Sequence, residues 1–431
     1  MPLENRISVE QLAVGLFVHL DLGWTQHPFS FNSFKIRSEE QLHIIRQLGL
    51  NTVRWSPDRS DTMPALPTAL ADTLPARPVR VAAQAPEPVI DPAIMAAKQT
   101  RIRKLQDHRD SIARVEQEFI RSAKIVRALG QSLFSLPVQA LSEASALIDS
   151  MTDTLLAAPD LAIHVMGECS STEEAYSHPL NVSVLAMLLA RDLRLPKEVV
   201  HMVGLGALFH DIGLSRVPAR IIKSTSPLTK GEQDFLELHC QYGLEMGKKA
   251  GLPAGTLQIL YQHHELFDGS GYPDQLKGEA ISPLARIVSL TNAFESLCNS
   301  HNVAQTLTPH EALSRMFAQY RSRFDPLLLK HFIRFMGVYP AGTVVSLSNG
   351  ALGMVIAVDP AHPLRPTVVV YDPDVPKHEA IVLDLAEESE VNITRGLRPD
   401  QLLPAVFDYL SPRRRVSFYF DAASSVKGVA A

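Results

Sequence analysis

Residues 205–214 read LGALFHDIGL, and residues 263–273 read HHELFDGSGYP. In each stretch a histidine stands beside a second potential metal ligand: Asp211 follows His210, and His264 follows His263. Apolar residues with helical spacing surround both pairs. Imidazole and carboxylate groups hold hard or borderline divalent metals in proteins. The two stretches therefore predict a metal centre inside an α-helical domain.

More side chains of the same kinds occur before and between these stretches. Glu174 and His178 stand four residues apart on a predicted helix, so both point the same way, one turn apart. Asn181 continues that face and could orient a metal-bound side chain. The full set of candidate ligands is Glu174, His178, His210, Asp211, His239, His263 and His264. A single catalytic metal seldom takes more than three or four ligands, so the set favours two or more metals and the hydrolysis of a phosphate ester.

Each candidate also has a purely structural interpretation. His210 and Asp211 could form a buried hydrogen-bonded pair. At the end of a helix followed by Ile-Gly, however, the two can converge, with Asp211 bridging two metals and His210 binding one of them. His239 could be a core or capping histidine, and Glu174 could be a solvated helix residue. Asn181 could serve only as a structural hydrogen-bonding group.

Composition narrows the class of protein. The chain has 431 residues, of which 46% are hydrophobic and 20% charged, with a formal net charge of −5. These values are ordinary for globular domains and give no electrostatic reason to expect a nucleic-acid polymer as partner. The three cysteines form no CxxC pair, which is typical of a reducing compartment. Without a secretory signal or an apolar run of about 20 residues, we expect a cytoplasmic protein with no membrane span.

Changes in composition and in hydrophobic pattern divide the chain into five segments. We expect a mainly α protein in which a small α+β domain precedes a helical bundle and a small β-rich unit follows it. Proline and alanine dominate the second segment, which therefore predicts a linker. The segments are an N-terminal α+β domain at 1–62, the linker at 63–93, a long connecting helix at 94–141, the helical domain at 142–336 and the β-rich C-terminal unit at 337–431.

The long connecting helix carries one apolar stripe. Four apolar residues recur at seven-residue intervals, and two more fill intermediate positions. They are Leu105, Ile112, Phe119 and Val126, with Ile102 and Val115 between them. The stripe is as compatible with packing on the chain's own helical domain as with a coiled-coil dimer.

The motifs resemble those of the HD-GYP family, a branch of the HD superfamily whose bacterial members hydrolyse cyclic di-GMP. The resemblance covers roughly residues 142–336 and implies that the helical bundle is of the HD type. The N-terminal region resembles a small domain of unknown role often found ahead of HD-GYP modules. The matching elements, in order, are HPLNV (178–182), HDIGL (210–214), His239, HH (263–264), DGSGYP (268–273) and LKG (276–278).

The resemblance implies a role for each matching residue. It implies two or three divalent metal ions, such as Fe or Mn, and hydrolysis of cyclic di-GMP to linear pGpG and onward to GMP. The implied metal ligands are His178, His210, Asp211, His239, His263 and His264, with Glu174 as the carboxylate of a third metal. Gly271, Tyr272 and Pro273 form the loop beside the substrate, although Tyr272 could instead only pack the turn. The further partners we expect are a second copy of the chain or a signalling protein.

Four positions depart from the family pattern. Leu214 replaces a lysine placed to contact phosphate, Asn292 replaces a metal-binding aspartate, and His301 and Ala304 stand where basic phosphate anchors are usual. Each lost charge-assisted contact is worth on the order of 1.5–3 kcal/mol. A second hypothesis follows: a degenerate domain that binds nucleotide or a protein partner and regulates without catalysis. We favour the enzyme because enough ligands for two metals remain.

Overall fold

The computed structural model divides into two compact units, one of residues 1–106 with 349–351 and 370–382, the other of the remaining residues. Only the backbone is described for residues 92–95, 97–98, 101–102, 104–105, 108, 112, 130–132, 137, 163–166, 174–176 and 420. Among the described helices, none combines the length and apolarity needed to cross a bilayer. The structure describes residues 5–22, 27, 29, 32–65, 92–132, 137–157, 163–166, 174–224, 226–300, 305–358, 362–373, 375–377, 380–388, 391–411 and 417–420.

The N-terminal part of the chain forms a small antiparallel sheet with one helix. Its elements are β1 (Arg6–Ser8), β2 (Phe17–His19), β3 (Ser33–Lys35), α1 (Glu39–Gln47) and β4 (Thr52–Trp55), and the strand order is β1-β4-β2-β3. The Ser38 side chain caps α1 by accepting a hydrogen bond from the backbone N–H of Gln41. Apolar residues of the strands and α1 form a separate core. The predicted α+β class of this region is confirmed.

A helical bundle follows and carries the candidate ligands. The helices are α2 (Pro92–Ser132), α3 (Pro137–Ala157), α4 (Glu174–Asp192), α5 (Lys197–Phe209), α6 (Ala219–Ile222), α7 (Lys230–Glu237), α8 (His239–Ala250), α9 (Ala254–Gln262), α10 (Pro283–Cys298), α11 (Pro309–Gln319) and α12 (Pro326–Met336). A short strand, β5 (Ile163–Met166), precedes α4. The predicted mainly helical HD-type fold is confirmed.

The apolar stripe of α2 packs inside the molecule where its side chains are described. Val115, Phe119 and Val126 belong to the core of the helical bundle. This packing favours the intramolecular interpretation of the stripe over a dimer seam. The side chains of Ile102, Leu105 and Ile112 lie outside the described residues.

A five-stranded sheet follows the bundle, as the alternating sequence pattern predicts. Its elements are β6 (Val344–Leu347), β7 (Leu352–Ala357), β8 (Thr367–Val370), β9 (Ile381–Asp384) and β10 (Ile393–Leu397), in the order β10-β6-β7-β8-β9. Gly350 lies in the β6–β7 connection with a φ of +83°, which suits glycine.

The chain then returns to the helical bundle through α13 (Pro404–Leu410) and β11 (Ser417–Phe420). Strand β11 pairs antiparallel with β5, so Ser417 lies opposite Met166 and Phe420 opposite Ile163. The sequence pattern did not predict this two-stranded sheet. The boundaries of the five predicted segments remain a proposal, and most of the predicted linker lies outside the described residues.

Candidate metal centre

Asp211 lies where α5 ends and a short 3-10 turn begins. His210 still has helical dihedral angles, whereas Asp211 has left them, with φ −97° and ψ 10°. This break allows two adjacent side chains to face the same space. Gly213 allows α8 to approach, since a Cβ atom there would lie 2.0 Å from the carbonyl oxygen of His239. The sequence HDIG thus brings the end of α5 against the start of α8.

The Asp211 carboxylate lies between two groups of histidines. Its Oδ2 atom lies 3.3 Å from Nε2 of His210 and 3.8 Å from Nε2 of His178. Its Oδ1 atom lies 3.5 Å from Nε2 of both His239 and His263. His264 joins the second group, and within each group the ligand atoms lie within 4.8 Å of one another. One oxygen therefore faces each group, which is the arrangement of a carboxylate that bridges two cations.

Three of these histidines are oriented by the backbone of their own chain segment. The Nδ1 atom of each donates a hydrogen bond to the carbonyl oxygen three residues earlier. These bonds join His210 to Ala207 over 2.7 Å, His239 to Leu236 over 2.7 Å and His263 to Leu260 over 3.1 Å. Because the proton is on Nδ1, the Nε2 lone pair points into the cluster and is available to a metal.

His178 is oriented differently, by a buried carboxylate on α10. Its Nδ1 atom lies 2.5 Å from Oε2 of Glu295. The other oxygen of Glu295 accepts hydrogen bonds from the amides of Asn181 and Asn299 over 3.0 and 2.8 Å. Asn181 therefore supports the carboxylate of Glu295, which in turn orients His178.

The environment keeps two of the imidazoles neutral, those of His263 and His264. Burial, only partly opposed by Asp211, lowers the pKa of His263 to about 4. Burial and the neighbouring His263 hold the pKa of His264 well below its usual value. Burial also disfavours the charged form of Asp211, but His210 and His263 outweigh it and keep the pKa of Asp211 well below the usual range. Neutral imidazoles around an ionised carboxylate are the donor forms that a divalent cation requires.

The pKa of His178 is shifted in the opposite direction. Burial would lower its pKa, but the charge and hydrogen bond of Glu295, with a contribution from Asp211, raise the pKa to about 9. A metal that binds to His178 therefore has to displace a proton at neutral pH.

The loop after the histidine pair is fixed by a second buried carboxylate. Glu265 is 1% exposed and accepts hydrogen bonds from the backbone N–H groups of Asp274 and Leu276, over 2.7 and 2.9 Å. A Cβ atom at Gly271 would lie 2.4 Å from the carbonyl oxygen of His264, so only glycine fits. These contacts place the 271–273 loop against the histidines.

The ring of Tyr272 lies against the imidazole of His264, a candidate metal ligand. The two rings are stacked, with centroids 4.6 Å apart and an interplanar angle of 21°. Burial raises the pKa of Tyr272, so the phenol stays neutral. The ring therefore packs against a candidate ligand, and its side chain is only half-buried.

Several predicted site residues are not joined to the cluster by the described contacts. Asn292 is buried on α10, where its Oδ1 atom accepts a hydrogen bond from Ser296 over 3.3 Å. Leu214 is half-buried in the turn after Asp211. The side chain of Glu174, and His301 and Ala304 altogether, lie outside the described residues.

Sequence reasoning missed the roles of Glu265 and Glu295. Both are acidic residues within apolar helical or turn sequence, HHELF and NAFESLC, where a charge is expected only if it has partners. An acidic residue in an apolar segment was therefore the sequence signal that could have indicated these two roles. The partner of each carboxylate could not be read from the sequence.

The donor set fits divalent metal ions. The described residues bring together five imidazoles and one carboxylate without a thiolate, in two groups that share Asp211. A group that could hold a divalent metal is therefore present. The number of ions and their identity belong to the proposal below.

Comparison with known proteins identifies the domains. Residues 159–328 match the HD domain, residues 4–144 match a domain of unknown function (DUF3391), and residues 344–404 match a KOW domain associated with the HD domain. Residues 159–328 are therefore similar to the HD domain, and the resemblance indicated by the motifs is confirmed.

Two curated relatives are similar over different lengths. The cyclic di-GMP phosphodiesterase PA4108 of Pseudomonas aeruginosa is 28% identical over 370 residues, which is 85% of each chain. The cyclic di-GMP phosphodiesterase response regulator RpfG of Xanthomonas campestris is 33% identical over 156 residues, 36% of this chain and 41% of that relative. The solved structure of Bd1817, an HDG"Y"P protein from Bdellovibrio bacteriovorus, is 15% identical and covers 76% of this chain and 97% of its own, with a TM-score of 0.41.

Proposed function

We propose that this chain is a metal-dependent phosphodiesterase that hydrolyses cyclic di-GMP to pGpG in bacterial second-messenger signalling. One observation carries the proposal: the two oxygens of Asp211 face two separate groups of histidines. The relative PA4108, similar along most of both chains, is a cyclic di-GMP phosphodiesterase. The related 3'3'-cGAMP-specific phosphodiesterase 2 of Vibrio cholerae, 27% identical over 173 residues, acts on another cyclic dinucleotide.

The ligand groups support two divalent metal ions such as Fe or Mn. His178, His210 and Asp211 would hold one ion, and Asp211, His239, His263 and His264 the other. Such ions lower the pKa of a shared water and neutralise charge on the phosphoryl group. A third ion would require Glu174, and Asn292 would add a neutral amide oxygen where the family has a charged ligand.

The residues of the chain would orient the metal ligands and the substrate. Backbone carbonyls and Glu295 orient four of the five imidazole rings, so these four rings do not have to be reoriented when a metal binds. The low pKa of Asp211 keeps its carboxylate ionised, which is the form that would bind a divalent cation. The loop from Gly271 to Pro273, held by Glu265, would place the dinucleotide over the two groups.

The rival function is nucleotide-dependent regulation without turnover. It draws support from Leu214, an apolar side chain where the family places an ammonium, and from Asn292. Four of the five histidines of the cluster are nevertheless oriented by a hydrogen bond at Nδ1. That degree of organisation favours a working metal centre. Cytoplasmic location, a homodimer and a signalling partner remain predictions.

The test measures metal content and turnover in the same preparations. Wild-type protein loaded with Mn or Fe should hold two ions per chain and convert cyclic di-GMP to pGpG. The double variant His210→Ala/Asp211→Ala should lose both properties, whereas His43→Ala, an exposed position on α1, should keep both. Metal binding and dinucleotide binding without turnover would establish the regulatory function instead, and wild-type protein that binds no metal would refute the metal centre.

A further inference from the structure

The last described strand, β11, is hydrogen-bonded into the helical bundle. The backbone N–H of Phe418 donates to Oδ1 of Asn181 over 3.1 Å, across 237 positions of the chain. Both residues are buried, with exposures of 0% and 1%. Asn181 lies on α4, one helical turn after His178. The strand therefore reaches the helix that carries a candidate metal ligand.

The contact of Phe418 determines which way the Asn181 amide faces. With Oδ1 occupied by the N–H of Phe418, the amide presents its NH₂ group to Oε1 of Glu295 over 3.0 Å. The reverse orientation would place an amide oxygen against a buried carboxylate and leave the strand N–H without an acceptor. The strand thus holds the amide in the orientation that donates to Glu295.

The same strand is also held from its other side. The hydroxyl of Tyr419 lies 3.0 Å from Oγ of Ser122 on α2, and its ring contacts Phe119 edge-on, with centroids 5.9 Å apart. These buried contacts leave β11 little freedom to shift along α4. A rigid strand can fix Asn181, and through it Glu295.

We propose that strand β11 is a positioning element for the metal-facing nitrogen of His178, acting through Asn181 and Glu295. The inference rests on the metal centre proposed above and assigns the strand a role in one half of it. The order of contacts is Phe418 N–H to Asn181, Asn181 to Glu295, and Glu295 to His178.

The role is confined to one of the two metal positions. His239 and His263 are oriented by carbonyl groups three residues earlier in their own segments. No such local anchor holds His178, whose Nδ1 atom bonds to Glu295 on a different helix. Removing the contact of the strand should therefore weaken the His178–His210–Asp211 position and spare the other.

Two substitutions at one position isolate the N–H group. Phe418→Ala and Phe418→Pro both remove the ring, but only proline also lacks the N–H that Asn181 accepts. We expect Phe418→Ala to keep two Mn ions per chain. We expect Phe418→Pro to bind one ion with affinity within about threefold of wild type and the other roughly 10–100-fold more weakly, as when a partner of a metal ligand is lost.

The readouts are Mn titration followed by metal analysis, the Mn electron paramagnetic resonance spectrum and the thermal unfolding temperature. The spectrum of two coupled ions in the wild type should become that of a single ion in Phe418→Pro. A general loss of structure would lower the occupancy of both positions together, so the selective loss separates positioning from stability.

A second variant covers the case in which both Phe418 variants unfold. Asn181→Asp keeps the acceptor for the N–H of Phe418 but turns a carboxylate toward Glu295, and it should lose the same metal position. Equal metal binding by the two Phe418 variants, or two tightly bound ions in Asn181→Asp, would overturn the role of the strand. Wild-type protein that fails to bind two ions would refute the proposed centre itself, which is a different result.

Discussion

The Nδ1 atom of His178 lies 2.5 Å from Oε2 of Glu295, a residue 117 positions later in the chain. The other anchored imidazoles of the cluster donate to neutral backbone carbonyls instead. Because a carboxylate stabilises the protonated ring and a carbonyl does so far less, the two halves of the centre differ in proton affinity. The pKa of His178 is raised to about 9, whereas that of His263 is lowered to about 4.

This difference in pKa predicts that metal affinity at the His178 position depends on pH. Between pH 7 and pH 9 the metal-free protein carries a proton on His178, and a metal must displace it. The affinity of the His178 position should therefore rise by about tenfold per pH unit in that window and level off above it. The other position should vary little, because His263 is already neutral. Calorimetric titration in buffers of different ionisation enthalpy measures the proton released.

Glu295→Gln provides the control for the pH dependence. The amide removes the negative charge that raises the pKa of His178, and burial then lowers that pKa. Proton release at pH 7 should disappear in the variant. An unchanged slope between pH 7 and pH 9 would contradict the assignment.

Asp211→Asn tests the shared carboxylate. The change keeps the size of the side chain but removes the charge that faces both groups of histidines. Turnover should fall by at least about 100-fold, since metals and their shared ligand contribute several kcal/mol to such reactions, and both metal affinities should drop. Asp234→Asn on the exposed face of α7 should behave as wild type. Loss of one ion only would show that Asp211 does not bridge.

Gly213→Ala tests the close approach of α5 and α8. The added methyl would lie 2.0 Å from the carbonyl oxygen of His239, so the two segments must separate. The expected cost is about 3 kcal/mol, seen as a lower unfolding temperature by calorimetry. The matched change Gly231→Ala meets no atom within 4 Å on helix α7 and should be neutral or stabilising by up to about 1 kcal/mol. Similar effects of both variants would argue against the close packing.

Glu265→Ala tests the support of the 271–273 loop, which we propose to contact the substrate. Two backbone N–H groups, of Asp274 and Leu276, would lose their acceptor, at about 1–3 kcal/mol each. We expect KM for cyclic di-GMP to rise roughly tenfold or more while metal content stays unchanged. Glu265→Gln, which keeps one acceptor oxygen, should lie between wild type and the alanine variant. Metal loss in Glu265→Ala would place its role at the ions instead.

Leu214→Lys restores a charge that the family has and this chain lacks. An ammonium in the turn that follows Asp211 should add one charge-assisted contact to phosphate, on the order of 1.5–3 kcal/mol. KM should fall roughly 10- to 100-fold at low salt. Leu214→Met, similar in length but uncharged, should leave KM unchanged. Equal KM values for the lysine and methionine variants would exclude a substrate phosphate near residue 214.

Some of the candidate site could be predicted because its chemistry is local. His210 with Asp211, and His263 with His264, are adjacent in sequence and embedded in apolar helical patterns. The class of each segment followed from the same periodicity. The prediction that these side chains lie close together in the fold required the resemblance to a family. Hydrophobic periodicity does not indicate which helices pack against each other.

The rest depends on contacts between distant residues. Glu295 is one acidic residue in an apolar helix, and its partner His178 lies 117 positions earlier. Asn181 was interpreted as a neighbour of a ligand, but neither its carboxylate partner nor the strand N–H behind it has a sequence signature. Strand β11 has four residues and reads SFYF, a pattern that fits many sheets.

The pairing of β5 with β11 also bears on the order in which the molecule assembles. All the helices from α4 to α12 lie between the two strands in the chain, so their association closes a very long loop. Contacts of such high sequence separation cost the most chain entropy and form late. We expect the amide protons of Ile163–Met166 to gain protection more slowly than those of α4 and α5, which pulse-labelling hydrogen exchange during refolding would time.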